Sequence, residues 1–252
     1  MLQLVHQIRA RQPRIGTRKL HHLLAPQLEK LSFAFGRDAL FELLGRHQLL
    51  VPRRKRTVRT TEARHQFGSY PNLLAGEPVA RIHQAWVADI TYLDTEEGFV
   101  YLALLTDVYS RRILGFDVSD SLAVEGALRA LEQAGKLLPK DPQGRLHYPL
   151  LHHSDRGVQY ACNAYTDWLK TQGIAISMAA AGSVYENALA ERVNGILKLD
   201  FLLGEQFGSV RQAMHATRES IAIYNLERPH LSLDYQTPDQ RYQQSYAQWY
   251  PS

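Results

Sequence analysis

Three carboxylates stand where a carboxylate needs a reason. Asp89 interrupts the apolar run Trp86-Val87-Ala88-Asp89-Ile90-Thr91-Tyr92-Leu93. A buried strand gains nothing from an anion there, because desolvating it costs several kcal/mol unless it is paired or bound to a cation. Asp155 follows Leu150-Leu151-His152-His153-Ser154 and precedes Arg156-Gly157, so it lies at the C-terminal end of a short strand, where open α/β sheets build their sites. Glu191 lies one turn into a helix expected from about 187 to 202, among the small or slim Ala188, Leu189 and Ala190. Oxygen donors with no cysteine nearby suit Mg2+ or Mn2+ rather than zinc. Two such ions roughly 3.5–4 Å apart can clamp the attacking and leaving oxygens of a phosphodiester. Singly, each acid reads as a strand-end or helix-surface group; together they read as a metal site.

Positioning them requires particular elements. Runs at 86–93, 99–106 and 112–118 have strand character, with Glu96-Glu97-Gly98 as a turn. Their short connections imply an antiparallel meander. A helix capped by Ser119 or Ser121 is expected to reach about Leu138, followed by a strand at 150–153, a helix at 163–172, a strand at 174–178, the Glu191 helix, and a helix at 210–225 capped by Ser209. Three antiparallel strands followed by two βα crossovers predict a mixed five-stranded sheet with helices on both faces. In such a sheet strands one and four can be neighbours, which would bring Asp89 and Asp155 together. Upstream, apolar residues at helical spacing over 3–12, 17–25 and 36–48 predict a small helix-turn-helix-like bundle. The chain therefore divides into a basic helical region (1–65), a linker rich in Gly and Pro (66–85), an α/β core (86–205) and a C-terminal helical extension (206–252).

Composition narrows the class. The single cysteine, Cys162, excludes an internal disulfide and a Cys-rich zinc site. The longest apolar stretches, such as Phe99 to Leu105, fall far short of the roughly 20 residues of a membrane span. The N-terminus lacks the apolar segment of a secretory signal. A soluble, cytoplasmic and nucleoid-associated protein is the expectation, with no membrane partner. Residues 1–66 hold 14 Lys and Arg against 4 Asp and Glu, although the whole chain carries only +4. The densest run, Arg53-Arg54-Lys55-Arg56, with Arg59 and Arg64 beyond it, is either a solvated linker or an arm that displaces counterions from nucleic acid.

Thirty-five residues separate Asp155 from Glu191. With Trp86 to Tyr92, His153-Ser154-Asp155-Arg156-Gly157-Val158-Gln159-Tyr160 and Tyr185-Glu186-Asn187-Ala188-Leu189-Ala190-Glu191, the chain resembles the catalytic (OrfB) subunit of bacterial two-frame insertion-sequence transposases. The core of that family is similar to retroviral integrases and carries a D,D-35-E pattern. Tyr224-Asn225, Arg228-Pro229-His230 and Thr237-Pro238 resemble its C-terminal signature, and Gly16-Thr17-Arg18-Lys19 its N-terminal helical segment. Two departures are visible. Ala179-Ala180-Ala181-Gly182 stands where the family carries basic residues, and Glu186 where aspartate is common.

The resemblance implies an RNase-H-like fold and metal-dependent 3′-end cleavage and strand transfer of DNA. Asp89 and Asp155 would hold the ions and Glu191 would complete the second site, with two ions present when DNA is bound. Lys198, seven residues after Glu191, returns to nearly the same helix face and is an expected phosphate contact. Asn187, one turn before Glu191, could orient its carboxylate or touch DNA, and either role is compatible with capping the helix. Arg18 and Lys19 join the Arg53–Arg56 run as expected DNA contacts, and Arg156 is expected either to contact DNA or to hold the loop after the fourth strand. His153 shares a strand face with Asp155 and either lines the site or is a buried, satisfied histidine; Asp107 ends the second strand and is expected to be structural or to support the site. Element ends and target DNA are the implied substrates. The implied partners are further copies of the chain on DNA, and an OrfA product or an OrfA–OrfB fusion, since the extra N-terminal helix-turn-helix and coiled coil of such fusions are not recognisable here. Two rival readings remain: a nuclease of the same fold that only hydrolyses, and a catalytically silent DNA-binding regulator.

Overall fold

The computed structural model describes residues 1–32, 34–52, 70–74, 78–179 and 187–250. The N-terminal helices are α1 (Leu2–Arg11), α2 (Thr17–Lys30) and α3 (Arg37–Arg46). Expected to stop before Pro26, α2 runs on to Lys30. Leu20, Leu24 and Leu28 recur every four residues and are all buried, so continuing the helix keeps the stripe on α3, and packing outweighs the one hydrogen bond a proline forfeits. Leu40 and Leu44 of α3 close this small core with Val5 and Ile15.

The meander follows as β1 (Ala85–Thr95), β2 (Gly98–Asp107) and β3 (Ile113–Ser119). Gly98, at φ +115°, makes the turn a residue with a Cβ would strain, and Thr95 Oγ1 donates to its carbonyl at 2.6 Å. Then come α4 (Val124–Gly135), β4 (Leu151–Ser154), the short α5 (Val158–Ala161), α6 (Asn163–Thr171) and β5 (Ala175–Met178). The chain ends with α7 (Ala188–Asp200), α8 (Val210–Leu226), a 3-10 turn at Leu231–Leu233 and α9 (Pro238–Trp249). The sheet order is β3-β2-β1-β4-β5, with β1–β2 and β2–β3 antiparallel and β1–β4 and β4–β5 parallel. This is the expected mixed sheet, with β1 and β4 adjacent.

Two local expectations fail. Neither Ser119 nor Ser121 caps α4, which starts after Ala123 without a side-chain cap. Ser119 Oγ is drawn to Asp117 and Arg129 instead, and Ser121 Oγ accepts from the Ala123 N–H. Ser209 does cap α8, accepting from the Gln212 N–H. α9 carries a full capping box between Thr237 and Gln240 with Pro238 in its first turn, a sequence signature that the reading of 206–252 passed over.

Alternation along the strands sorts the core. Trp86, Ala88, Ala103 and Leu105 face α4 and α6, meeting Ala127, Ala130, Leu131 and Leu169. Leu93, Leu102 and Leu104 face α7 and α8, meeting Val193, Ile196, Leu197, Ile221 and Tyr224. Asp89 shares parity with Leu93, so it lies on the α7 side. The segment before β1 is packed rather than loose. Arg81 Nη2 donates to the Pro149 carbonyl at 2.7 Å, and Ile82 and His83 are buried. Among the described residues no helix is long and apolar enough to cross a membrane.

Candidate active site

Strand register brings the two aspartates level. β1 and β4 pair in parallel, Trp86 opposite His152 and Val87 opposite His153. The same offset carried two residues past the ladder points Asp155 toward the level of Asp89, and the charge of Asp155 acts on Asp89. Asp155 sits just past β4, where its Oδ1 accepts from the Gly157 N–H at 2.9 Å. Arg156 Nε donates to the Ala179 carbonyl at 2.9 Å and so braces this loop against the end of β5.

The third acid arrives on α7, which two amides pin along β1. Asn187 Nδ2 donates to the Ala88 carbonyl at 3.1 Å, and Asn194 Nδ2 donates to Asp89 Oδ2 at 2.7 Å. Positions 187, 191, 194 and 198 fall on one helical face. Glu191 is therefore held between the two anchors, over the Ala88–Asp89 stretch of β1, with its side chain exposed. One turn on, Lys198 Nζ lies over the Tyr92 ring, 4.0 Å from its centroid. α7 thus runs the same way as β1, laying this face over Ala88, Asp89 and Tyr92.

The electrostatics register that convergence. Asp89 is pushed up from 3.8 to about 7, first by burial and then by the negative charge of Asp155, with a smaller push from Glu191. Hydrogen bonds from Asn194 and the Ile90 N–H act the other way. The Tyr160 phenol is buried below and is held well above its ordinary value by burial, by Tyr165, and by the charges of Asp89 and Asp155. Among the described residues no three His, Cys, Asp or Glu side chains are gathered into a ready metal cage. What the three acids share is an excess of negative charge on hard oxygen donors, and a divalent cation relieves that excess. The donor set fits such an ion.

The other expected residues fall out differently. Asn187 is buried and its amide donates to β1, so it positions α7. His153 is fully buried and its Nδ1 meets Ser177 Oγ at 2.8 Å across to β5. Asp107 is also fully buried; its oxygens accept from the His83 N–H and from the Ser110 N–H and Oγ, which fixes the β2–β3 turn. Its strand partner, Trp86, is three residues before Asp89. Arg18 and Lys19 line a cavity beside α7. Arg53, Arg54, Lys55, Arg56, Arg59 and Arg64, the stretch 180–182 and Glu186 lie outside the described residues.

Asn194 was missed by sequence reasoning, although its spacing of three from Glu191 and seven from Asn187 was in plain view. Asn194→Ala is expected to lower metal-dependent turnover by about 10–100-fold, as loss of a group orienting a ligand does. It also removes a bond that favours the ionised form of Asp89, so the acid limb of the pH–rate profile should move to higher pH. A profile displaced only vertically would show that Asn194 acts through packing alone.

Two family models, each described as an integrase core domain, match residues 80–184 and 172–238. The 31 kDa protein of insertion element IS600 from Shigella sonnei is 35% identical over 221 residues, covering 86% of this chain and 77% of that protein. The transposase for IS629 from Shigella sonnei is 37% identical over 175 residues, 69% of this chain and 57% of the relative. The protein of insertion sequence element IS986/IS6110 from Mycobacterium tuberculosis is 38% identical over 148 residues, and the match spans 58% of this chain but only 52% of that protein. The chain thus spans about half the length of this mycobacterial relative. A chain of the simian T-cell lymphotropic virus intasome, solved with PP2A regulatory subunit B56 gamma, superposes with a TM-score of 0.54 at 17% identity, over 90% of this chain and 74% of that one. The shared fold is RNase-H-like, and an integrase core of this type implies dependence on a divalent metal. The resemblance read from the motifs is therefore met by whole-domain similarity, and the chain belongs to the insertion-sequence transposases that carry an integrase core domain.

Proposed function

We propose that this chain catalyses cleavage at the 3′ ends of an insertion element and joins those ends to target DNA. The observation that carries this reading is the pinning of α7 to β1, which sets Glu191 over Asp89 while strand register sets Asp155 beside it. In cleavage, a water oxygen bonds to the phosphorus at the element's end and the 3′-oxygen leaves with a proton. In joining, that 3′-hydroxyl oxygen bonds to a target phosphorus and displaces the target's own 3′-oxygen. Neither step leaves a covalent bond to protein, so positioning and charge are what the chain must supply.

Asp89, Asp155 and Glu191 are the residues that would hold Mg2+ or Mn2+, two ions when DNA is bound. The ions would supply charge neutralisation at the phosphate and a more acidic attacking hydroxyl. Asp89 must be ionised to serve. Asn194 fixes its Oδ2, and the Ile90 N–H holds Oδ1. Lys198, already turned toward β1 over Tyr92, offers an ammonium one turn beyond Asn194 for a nearby phosphate. Residues 1–65 would grip DNA, 86–205 would carry the chemistry, 66–85 would link them and 206–252 would brace α7. Two DNA ends call for more than one protomer, and end recognition for an OrfA-type partner or fusion, acting in the cytoplasm on the nucleoid.

The test is Asp155→Asn in a cleavage and joining assay on oligonucleotides with Mg2+. Several kcal/mol of lost charge stabilisation corresponds to a fall of about 10³-fold. Activity retained at the wild-type level would remove Asp155 from the site. Hydrolysis products without joined products would mark a nuclease instead.

A further inference from the structure

A second charged site lies behind α7. A cavity of about 590 Å3 opens where the N-terminal helices meet the core, and six basic and two acidic side chains line it. Of the acids, Asp200 is taken up by the buried Arg228 at 2.5 Å, and Asp38 by Arg37 at 2.9 Å. The side chains of Arg18, Lys19 and Arg192 make no hydrogen bond or ion pair among the described residues. The first turns of α2 and α3 both reach the cavity, and both helices begin at a glycine with no side-chain cap. Their leading N–H groups and dipoles therefore favour an anion in the same space.

Like charges gathered beside half-buried surface are unfavourable in the free chain. Lys19 is pushed down to about 7, first by burial and then by Arg228, with Arg192 adding to the effect and Asp200 opposing it. His230, which accepts from Arg228 Nη1 at 3.4 Å, is pushed down to about 2 by burial and the same cations. Such a cluster costs the free chain stability, and an anion seated among the cations relieves that cost.

We propose that this cavity is a phosphate-binding site that receives a backbone phosphate of bound DNA. In this way Lys19, Arg18 and Arg192 lock the N-terminal helices to the helix bearing Glu191. Assigning the phosphate to DNA rests on the transposase reading; the anion site itself does not. Arg192 is the residue after Glu191, so a phosphate held there fixes the catalytic helix as well as the DNA. The N-terminal unit already meets this region through the Arg14 N–H on the Asp200 carbonyl, the Arg11–Glu227 ion pair and a His22–Tyr235 stack.

The experiment measures binding of a duplex oligonucleotide by the full chain against KCl concentration, for wild type, Lys19→Gln, Arg18→Ala and Arg192→Ala. Each variant is expected to bind about tenfold more weakly near 0.1 M salt, with a log–log slope shallower by up to about one. Lys19→Gln should melt at or above the wild-type temperature, because it removes an unfavourable charge while weakening binding. Lys19→Arg should bind as tightly as wild type at pH 6 and lose the decline in affinity that wild type shows from pH 6 to pH 8.5. Should Lys19→Gln fail to fold, the exposed Arg18 and Arg192 variants carry the test. Unchanged affinity and slope in the variants would overturn the proposal. Competition by pyrophosphate that the variants lose, with duplex binding intact, would also overturn it by assigning the site to a free phosphate. The catalytic reading fails separately: wild type that binds duplex with the expected slope but never cleaves it would sink that reading and leave the phosphate site standing.

Discussion

Replacing Asp89 with asparagine is expected to abolish cleavage and joining, by at least about 10³-fold, while making the folded chain more stable at pH 8. Both effects come from one cause. The carboxyl titrates near 3.8 in an unfolded chain and near 7 in the fold, because burial and Asp155 oppose its charge. Between those values the folded chain holds a proton that the unfolded chain has released. Stability therefore falls as pH rises from about 4 to about 7, and the full penalty stands above that. Its upper bound is on the order of 4 kcal/mol. An asparagine carries no such penalty and its oxygen can still accept one of the two hydrogen bonds that Asp89 receives. If half the bound is realised, the variant should melt roughly 4–8 °C above wild type at pH 8 for a chain of this size. The difference should close below about pH 4. Added Mg2+ should raise the wild-type melting temperature and leave that of the variant unchanged, because only the wild type offers the carboxylate for which the ion competes with the proton. A variant less stable than wild type at pH 8 would mean that Asp89 is a structural ion-pair acid, and the metal assignment would fall with it.

The same residue shows why the site was legible from sequence. A charged group inside a strand of apolar alternation contradicts its surroundings, and that contradiction survives without coordinates. Asp155 was legible because a short strand followed by Arg-Gly marks the end of the sheet where ligands bind. The adjacency of β1 and β4 followed from meander and crossover rules. What was not legible shares a physical character. Asn194 is an ordinary polar residue on a helix, and nothing in its neighbours shows that its amide turns inward until α7 has been laid along β1. The second helix was read only to residue 25, and it runs past Pro26 to Lys30 because the stripe Leu20, Leu24 and Leu28 is buried. Ser119 and Ser121 looked like caps because their competition for Asp117, Arg129 and a local N–H is set by the end of β3. The cavity behind α7 is the extreme case. Arg18 and Lys19, Arg37, Arg192 and Arg228 come from separate stretches of the sequence, and only the docking of α2, α3, α7 and the segment after α8 makes them one site.

Alanine at Gly115 tests the frame that holds the acids in place, and it is expected to cost about 3 kcal/mol or more, at or beyond the upper end for overpacked cores. A Cβ built on Gly115 of β3 would lie 1.9 Å from the Ala130 carbonyl oxygen and 2.9 Å from its carbon, with the Ala134 nitrogen at 3.2 Å. All three are backbone atoms of α4, so no rotamer change relieves the clash and the helix itself must lift. α4 is seated through Ala127, Ala130 and Ala134, whose small side chains let its backbone approach the sheet. It packs on β3 and on Ala103 and Leu105 of β2, and Leu105 pairs with Ala88 of the strand that presents Asp89 on its other face. Lifting α4 opens that layer and frees β1 to shift against β4, so binding of Mg2+ should weaken along with stability. Gly45→Ala provides the contrast in the same chain. It lies inside α3 with only Leu50 Cδ1 near, at 3.7 Å, and should gain roughly 0.5–1 kcal/mol from helix propensity. Urea denaturation of the two variants should move the midpoint in opposite directions, Gly115→Ala downward and Gly45→Ala upward. A Gly115→Ala midpoint equal to wild type would show that α4 stands farther from β3 than the small-residue contact requires, and that the sheet holds together without support from that helix.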